Sequence, residues 1–134
     1  MVLILKKDDY KKIVDHANKE FPIEACGILA GKKNDENKIV EDVYPTRNVL
    51  NSSSRYQVDP EEQLKIFMKV EEESKEILGF YHSHPYWPAY FSEIDKDLAF
   101  YENLSYLVYS VPEKKLKAFI KKGKLIEEEL IKII

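Results

Sequence analysis

The strongest constraint on the fold is the alternation of short apolar runs with stretches of helical periodicity. Residues 25–31 form an apolar run that ends in glycine, which predicts a buried strand. Residues 39–44 follow across the polar turn 32–37 and predict its hairpin partner. Strands separated by helices predict an α/β sandwich, with one twisted mixed sheet and helices packed on its faces. Further strands are predicted at residues 2–5, 77–82, 106–111, 116–120 and 125–134.

Three helices are predicted between these strands. Apolar residues recur at helical spacing over residues 10–21, which predicts the first helix. Asp59 stands directly before Pro60 and three residues before Glu62, an arrangement typical of a helix start. Ser92 opens the third helix. The buried faces of the second and third helices are predicted to carry Leu64, Phe67, Met68, Ile94, Leu98 and Tyr101.

Length and composition exclude several classes of protein. The 134 residues suit one domain, and we expect a single domain over residues 1–134. The net charge of −3 is spread over interspersed acids and bases, which argues against a nucleic-acid partner. No apolar run approaches the ~20 residues that a bilayer requires, and the first residues lack the layout of a signal peptide. Because Cys26 is the only cysteine and cannot form an internal disulfide, we expect a cytoplasmic protein.

Two histidines lie two residues apart at the end of a predicted strand. Side chains at positions i and i+2 of a strand project from the same face, so His82 and His84 point into one space. The pair is weak evidence by itself, because histidines also occur at ordinary polar strand ends. A metal site needs a further ligand.

That ligand is available one short loop downstream. Ser92 and Asp95 lie three residues apart at a predicted helix start and face the same way. An ordinary N-cap would account for Ser92, but not for two histidines beside it. Two histidines and one carboxylate form a catalytic zinc set that leaves a position for water, and iron is the main rival metal.

A resemblance to a known family unites these residues. Glu24 precedes the apolar strand, where a lone glutamate would ordinarily be solvated surface. The sequence around it, Glu-Ala-Cys-Gly-Ile-Leu-Ala-Gly, and the sequence Gly-Phe-Tyr-His-Ser-His-Pro around the histidines resemble two motifs of the JAMM (MPN+) zinc metalloproteases. The signature that the chain matches begins with an upstream glutamate. His-Ser-His follows later in the chain, and then come seven residues, a serine, two residues and an aspartate. The matching residues are Glu24, His82, Ser83, His84, Ser92 and Asp95.

The resemblance implies a role for each residue. His82, His84 and Asp95 would bind Zn²⁺, and Glu24 would serve as the general base that carries a proton to the leaving amine. Ser92 would help to stabilise the oxyanion of the tetrahedral intermediate. The implied fold is a single-domain, cytidine-deaminase-like MPN sandwich that covers the chain as one catalytic domain.

The resemblance also implies a substrate class. Stand-alone prokaryotic members hydrolyse the amide bond after the C-terminal Gly-Gly tail of a ubiquitin-like protein, such as a small archaeal modifier joined to lysine. A related peptidase that releases cysteine from a sulfur-carrier protein is the closest alternative. A partner-binding scaffold without chemistry is an alternative of another class, although such relatives have usually lost metal ligands. The His-x-Glu and Pro-Cys-x-x-Cys motifs of deaminases and the His-Glu-x-x-His protease motif are absent.

The loop between His84 and Ser92, which joins the histidines to the helix carrying Asp95, is rich in aromatic residues. Trp87 and Tyr90 are expected to cover the core and also to contact an extended substrate tail, with Trp87 the first candidate for an exposed contact. Cys26 is expected to be a small buried residue and not a nucleophile. The exposed aromatic residues would also permit a homodimer.

Overall fold

A computed structural model describes residues 1–134, with seven strands and three helices. None of the helices has the length and apolar character needed to cross a bilayer. The elements in chain order are β1 (Val2–Leu5), α1 (Lys7–Glu20), β2 (Cys26–Lys33), β3 (Asn37–Thr46), α2 (Pro60–Glu72), β4 (Glu76–His84), α3 (Glu93–Leu98), β5 (Ser105–Ser110), β6 (Lys115–Lys122) and β7 (Leu125–Ile133).

The seven strands form one mixed sheet, which confirms the predicted α/β fold. Their order is β1-β3-β2-β4-β5-β6-β7, and β7 pairs with β1, so the sheet closes on itself. The β2–β3 and β6–β7 pairs are antiparallel, whereas β4 pairs in parallel with β5. Strand β4 is therefore bonded on both edges, which gives the residues at its carboxyl end a rigid support.

Strand β4 approaches its neighbours β2 and β5 closely at two glycines. A Cβ atom at Gly79 would lie 2.0 Å from the carbonyl oxygen of Ser105 on β5. A Cβ atom at Gly27 would lie 2.1 Å from the ring of Tyr81. Both positions therefore require glycine for steric reasons, and β4 can pack against β2 and β5 only because these side chains are missing.

Helix α2 begins as predicted but buries a different face. The Asp59 side chain accepts a hydrogen bond from the Glu61 N–H at 2.9 Å, and Pro60 occupies the first turn. The predicted buried stripe is wrong in two of its three members, because Leu64 is 62% exposed and Met68 is 55% exposed. The helix has a second apolar stripe at helical spacing, and this one packs against the sheet through Ile66, Phe67 and Val70.

Helix α3 is shorter than the sequence predicts. It ends at Leu98, so Tyr101 lies beyond it and is 39% exposed rather than part of a buried helical face. The Tyr101 N–H donates to the hydroxyl of Tyr106 at 3.0 Å, which holds the segment after the helix as an irregular turn. Ile94 and Leu98 are only half-buried.

A buried ion pair crosses the closed sheet beneath β1. The Lys38 ammonium on β3 lies 3.3 Å from the Glu129 carboxylate on β7 and donates to the Ser105 hydroxyl at 2.6 Å. Ser105 in turn donates to Glu129. Burial lowers the pKa of Lys38, and the carboxylate of Glu129 opposes that effect. Lys38, Ser105 and Glu129 bond one another, so both buried charges have a partner of opposite sign.

We expect Lys38→Met to destabilise the protein by roughly 3–5 kcal/mol, because it leaves the Glu129 charge buried without a partner. The double variant Lys38→Met/Glu129→Met should recover much of this loss, since no charge then remains buried. Urea unfolding followed by circular dichroism measures both values. A double variant less stable than the single one would contradict this expectation, because it would show that Glu129 stabilises the fold even without Lys38.

Candidate active site

The carboxyl end of β4 places two imidazoles side by side. His82 lies opposite Cys26 of β2 and opposite Val108 of β5, and His84 lies opposite Ser110. The strand geometry projects both side chains to the same face, as their spacing predicts. Each is only 1% exposed, so the imidazoles are removed from solvent.

The start of α3 brings a carboxylate to the same place. Ser92 is the N-cap, and its Oγ accepts from the Asp95 N–H at 3.0 Å. The Asp95 carboxylate reaches back to accept from the Ser92 N–H, also at 3.0 Å. This capping box fixes the rotamer of Asp95 and directs its carboxylate toward the imidazoles.

The atoms of these three residues have the spacing of a metal site. The Nε2 atoms of His82 and His84 lie 3.3 Å apart, and each is 3.0 Å from an oxygen of Asp95. Tetrahedral zinc with ligands at roughly 2.0–2.1 Å holds its ligand atoms roughly 3.3 Å apart. The donor set, its spacing and its burial therefore fit a zinc ion held by two histidines and one carboxylate.

Hydrogen bonding fixes the tautomer of one imidazole. The Nδ1 atom of His84 lies 2.8 Å from the carbonyl oxygen of Pro88, which can only accept, so Nδ1 carries the proton. In a neutral imidazole the Nε2 atom then presents a lone pair to the cluster, which is the state that a metal ligand requires.

The other imidazole is held by stacking. The ring of Tyr56 lies 4.5 Å from the ring of His82 at an interplanar angle of 16°. The Nδ1 atom of His82 is buried and has no hydrogen-bond partner. The Tyr56 contact on the ring face and the Asp95 oxygen 3.0 Å from Nε2 therefore orient His82, without help from Nδ1.

The electrostatics of the cluster favour an ionised carboxylate. Burial by itself would raise the pKa of Asp95, but the charges and hydrogen bonds of His82 and His84 outweigh it. The pKa of Asp95 consequently lies well below its usual range. The carboxylate is thus available as an anionic ligand at neutral pH.

Glu24 is buried beside this cluster, contrary to the solvated position that a lone glutamate usually occupies. It stands two residues before Cys26, whose partner on β4 is His82. Glu24 is only 1% exposed, and its Oε1 atom has no hydrogen-bond partner. Burial, and secondly the charge of Asp95, raise the pKa of Glu24 to about 9. A cation placed nearby would lower this pKa again, so the position suits a proton carrier next to a metal.

Ser92 lies at the rim of the same cluster. In its hydrogen bond to the Asp95 N–H the hydroxyl oxygen is the acceptor, and its own hydrogen has no acceptor in the structure. The hydroxyl can therefore donate to a substrate oxygen while it still caps the helix.

The aromatic loop lies over His84 with its main chain held in place. The Ser110 hydroxyl donates to the carbonyl of Trp87 at 2.8 Å. The ring centroids of Trp87 and Tyr90 lie 6.0 and 5.4 Å from that of His84. Tyr90 is 47% exposed and Trp87 is half-buried, so both rings keep some surface open to solvent.

Cys26 is buried, as expected. Its Sγ atom lies 3.5 Å from the Thr46 hydroxyl, and burial raises its pKa to about 12. A thiol with so high a pKa is not a nucleophile at neutral pH.

Two features of the site were missed from the sequence. Tyr56 falls in the polar segment 48–56. Its sequence favours a flexible surface loop, with one side of a substrate groove as the alternative, and nothing in its spacing indicates contact with His82. The second feature is an apolar groove of about 510 Å³ between α2 and the segment after α3. Tyr56 lines this groove and also stacks on His82, so the groove adjoins the metal cluster. Its apolar lining includes Leu50, Leu64, Phe67, Leu98 and Phe100.

A buried His-His-Asp cluster with a glutamate beside it, on a mixed sheet of this topology, defines a metallopeptidase of the JAMM type. Residues 6–120 match the family described as prokaryotic homologs of the JAB domain, and the chain belongs to that family. The expected family and enzyme class are thereby confirmed.

Individual relatives agree with this assignment. A desampylase of Haloferax volcanii is 32% identical over 121 residues, which cover 87% of this chain and 85% of the relative. A CysO-cysteine peptidase of Mycobacterium tuberculosis is 34% identical over 109 residues, which cover 81% and 73%. The solution structure of protein DSY2949 from Desulfitobacterium hafniense superposes with a TM-score of 0.90 at 36% identity, covering 100% of this chain and 93% of that one.

We expect Asp95→Asn to abolish zinc binding, because the amide removes the anionic ligand and weakens the capping box. Elemental analysis of protein equilibrated with zinc should give about one ion per chain for the native protein and none for the variant. Asp97→Asn, which changes an exposed carboxylate on the same helix, is the matched control and should keep the ion. Equal zinc content in Asp95→Asn and the native protein would contradict this assignment.

Proposed function

We propose that the chain is a zinc-dependent isopeptidase that removes a ubiquitin-like modifier from lysine side chains. The observation that carries the proposal is the burial of the Glu24 carboxyl beside the cluster of His82, His84 and Asp95. If Glu24 served only a structural ion-pair network, its carboxylate would be paired with a cation or a donor. The Oε1 atom of Glu24 instead has no hydrogen-bond partner. An unpaired buried acid beside a metal set is the arrangement of a hydrolytic site.

Zinc held by these three residues would supply Lewis-acid charge, which polarises an amide carbonyl and makes hydroxide available near neutral pH. The Glu24 carboxylate would take a proton from the attacking water. It would then deliver that proton to the lysine amine as the carbon–nitrogen bond breaks. The products are the modifier with a free carboxylate and the restored lysine.

The Ser92 hydroxyl would donate to the carbonyl oxygen as negative charge develops on it. Its hydrogen is free and its position is fixed by the helix cap, so the donor would need little reorganisation. Trp87 and Tyr90 would flank the substrate tail where it passes His84. An extended Gly-Gly tail suits such a narrow approach, because glycine has no side chain to clash.

The apolar groove would receive the folded part of the modifier. It adjoins the cluster through Tyr56, and two of its large residues, Leu50 in the loop before α2 and Leu64 on α2, are 44% and 62% exposed. An exposed apolar surface of this kind beside an active site supports binding of a protein substrate.

A second candidate function is the release of cysteine from a sulfur-carrier protein. The similarity to a CysO-cysteine peptidase favours it, and the same residues would perform the hydrolysis. The two candidates differ only in the amine that leaves. The desampylase relative aligns over a larger share of both chains, which supports the lysine conjugate as the leading proposal.

The test of this choice is hydrolysis of two matched substrates. One is a ubiquitin-like protein joined through its Gly-Gly tail to a lysine side chain, and the other is a carrier protein joined to cysteine. Mass spectrometry of each product measures cleavage. We expect cleavage of the lysine conjugate, whereas cleavage of the cysteine adduct alone would replace the leading proposal by the second.

We expect Glu24→Gln to lower kcat by about 10²–10⁴-fold, because the amide cannot accept the proton of water. The variant should retain zinc, since Glu24 is not among the three ligands. Glu20→Gln is the control, because Glu20 lines the same surface pocket as Glu24 but is exposed and is not one of the residues of the cluster. Activity of Glu24→Gln close to that of the native protein would exclude Glu24 as the base.

We expect Leu64→Glu to raise KM for the lysine conjugate by about tenfold with kcat unchanged, a loss of about 1.4 kcal/mol of binding. Hydrolysis of a short Gly-Gly peptide amide, which is too small to reach the groove, should stay the same. Leu125→Glu is the control, because Leu125 is similarly exposed at 66% and lies outside the groove. A similar increase in KM for both variants would argue against docking in the groove.

A further inference from the structure

The main chain of Glu24 is held by a loop and not by the sheet. Strand β2 begins only at Cys26, so the peptide groups of Glu24 have no partners in a strand ladder. The Glu24 N–H donates to the carbonyl of Ser52 at 2.9 Å. The Glu24 carbonyl accepts from Nδ2 of Asn48 at 3.0 Å. Both contacts come from residues 48–58, which we call the Asn48 loop.

One side chain organises this loop. The amide of Asn48 donates to the carbonyls of Glu24 and Arg55, both at 3.0 Å. Its oxygen accepts from the N–H groups of Leu50 and Gln57, both at 3.1 Å. Two carbonyls can only accept and two N–H groups can only donate, so these partners dictate the orientation of the amide and use its full hydrogen-bonding capacity.

The same loop reaches the metal cluster. Tyr56 follows Arg55 directly and stacks on His82, while Val58 at the end of the loop pairs with Asn48. The Asn48 amide therefore ties the peptide carrying Glu24 to the peptide next to Tyr56. Because the Glu24 carboxyl has no partner for Oε1, its position depends on the main chain to which it is attached.

We propose that Asn48 is a positioning residue for the hydrolysis, which acts by holding the main chain of Glu24 at the distance from the cluster that proton transfer requires. The proposal rests on the role of Glu24 in the proposed function. A displacement of about 1 Å in a reacting group is enough to lower a rate by about 100-fold. Asn48 itself is half-buried and has no hydrogen-bonding capacity left for a substrate.

The test is the variant Asn48→Asp. It keeps the size of the side chain and the acceptor for Leu50 and Gln57, but it removes both donors and sets a carboxylate oxygen against two carbonyls. Asn51→Asp is the matched control, because it adds the same charge to an exposed side chain of the same loop. We expect kcat to fall by about 100-fold in Asn48→Asp. Zinc affinity should be unchanged, and Asn51→Asp should behave as the native protein.

Two further measurements separate positioning from a general structural role. In the double variant Asn48→Asp/Glu24→Gln, kcat should be no lower than in Glu24→Gln alone, because Asn48 acts through Glu24. Amide hydrogen exchange at Glu24 should be faster in Asn48→Asp, because the loop that Asn48 organises carries the Ser52 carbonyl, which accepts the Glu24 N–H, and would hold it less firmly.

The proposal is overturned by native kcat in Asn48→Asp, by an equal loss in Asn51→Asp, or by a double variant well below Glu24→Gln. A native protein without activity on either substrate contradicts the proposed function instead. Unchanged exchange at Glu24 in Asn48→Asp overturns the positioning role whatever the activity.

Discussion

The structure depends on one buried carboxylate shared between two imidazoles. Taking the charge of Asp95 out of water costs several kcal/mol, and the pair of histidines together with the Ser92 N–H offsets this cost. The contact joins the end of β4 to the start of α3, which are separated by a loop of eight residues from 85 to 92. Proteins retain such costly arrangements where function requires them, and a metal ion would satisfy all three side chains at once.

The closed sheet supplies the rigidity that this arrangement requires. Strand β4 is bonded along both edges, and Gly79 permits its close approach to β5. Rigid strands hold side chains more accurately than loops do, which suits metal ligands. Glu24 is the exception, because its main chain precedes β2 and takes its hydrogen bonds from the Asn48 loop.

The parts of the fold and site that follow from local rules could be predicted from the sequence. The two-residue repeat of a strand places His82 and His84 on one face, and the helix cap at Ser92 orients Asp95 through contacts within four residues. The start of α2 at Asp59 is local in the same way. Each of these depends only on neighbouring residues, so spacing is sufficient evidence.

The parts that depend on distant packing could not be predicted. Helix α2 carries two apolar stripes, and only the sheet decides that Val70 is buried while Leu64 is exposed. Closure of the sheet depends on pairing between β1 and β7, at opposite ends of the chain. The stacking of Tyr56 on His82 joins residues 26 positions apart in sequence, and no periodicity signals it.

The central claim is that the cluster of His82, His84 and Asp95 binds the zinc on which hydrolysis depends. The most direct measurement is a titration of metal-free protein with zinc, followed by the rate of cleavage after a ubiquitin-like Gly-Gly tail. The account predicts no cleavage without metal and a rate that rises until one equivalent has been added, then stays constant. Cleavage by the metal-free protein, or no cleavage at any zinc concentration while one equivalent binds, would contradict it.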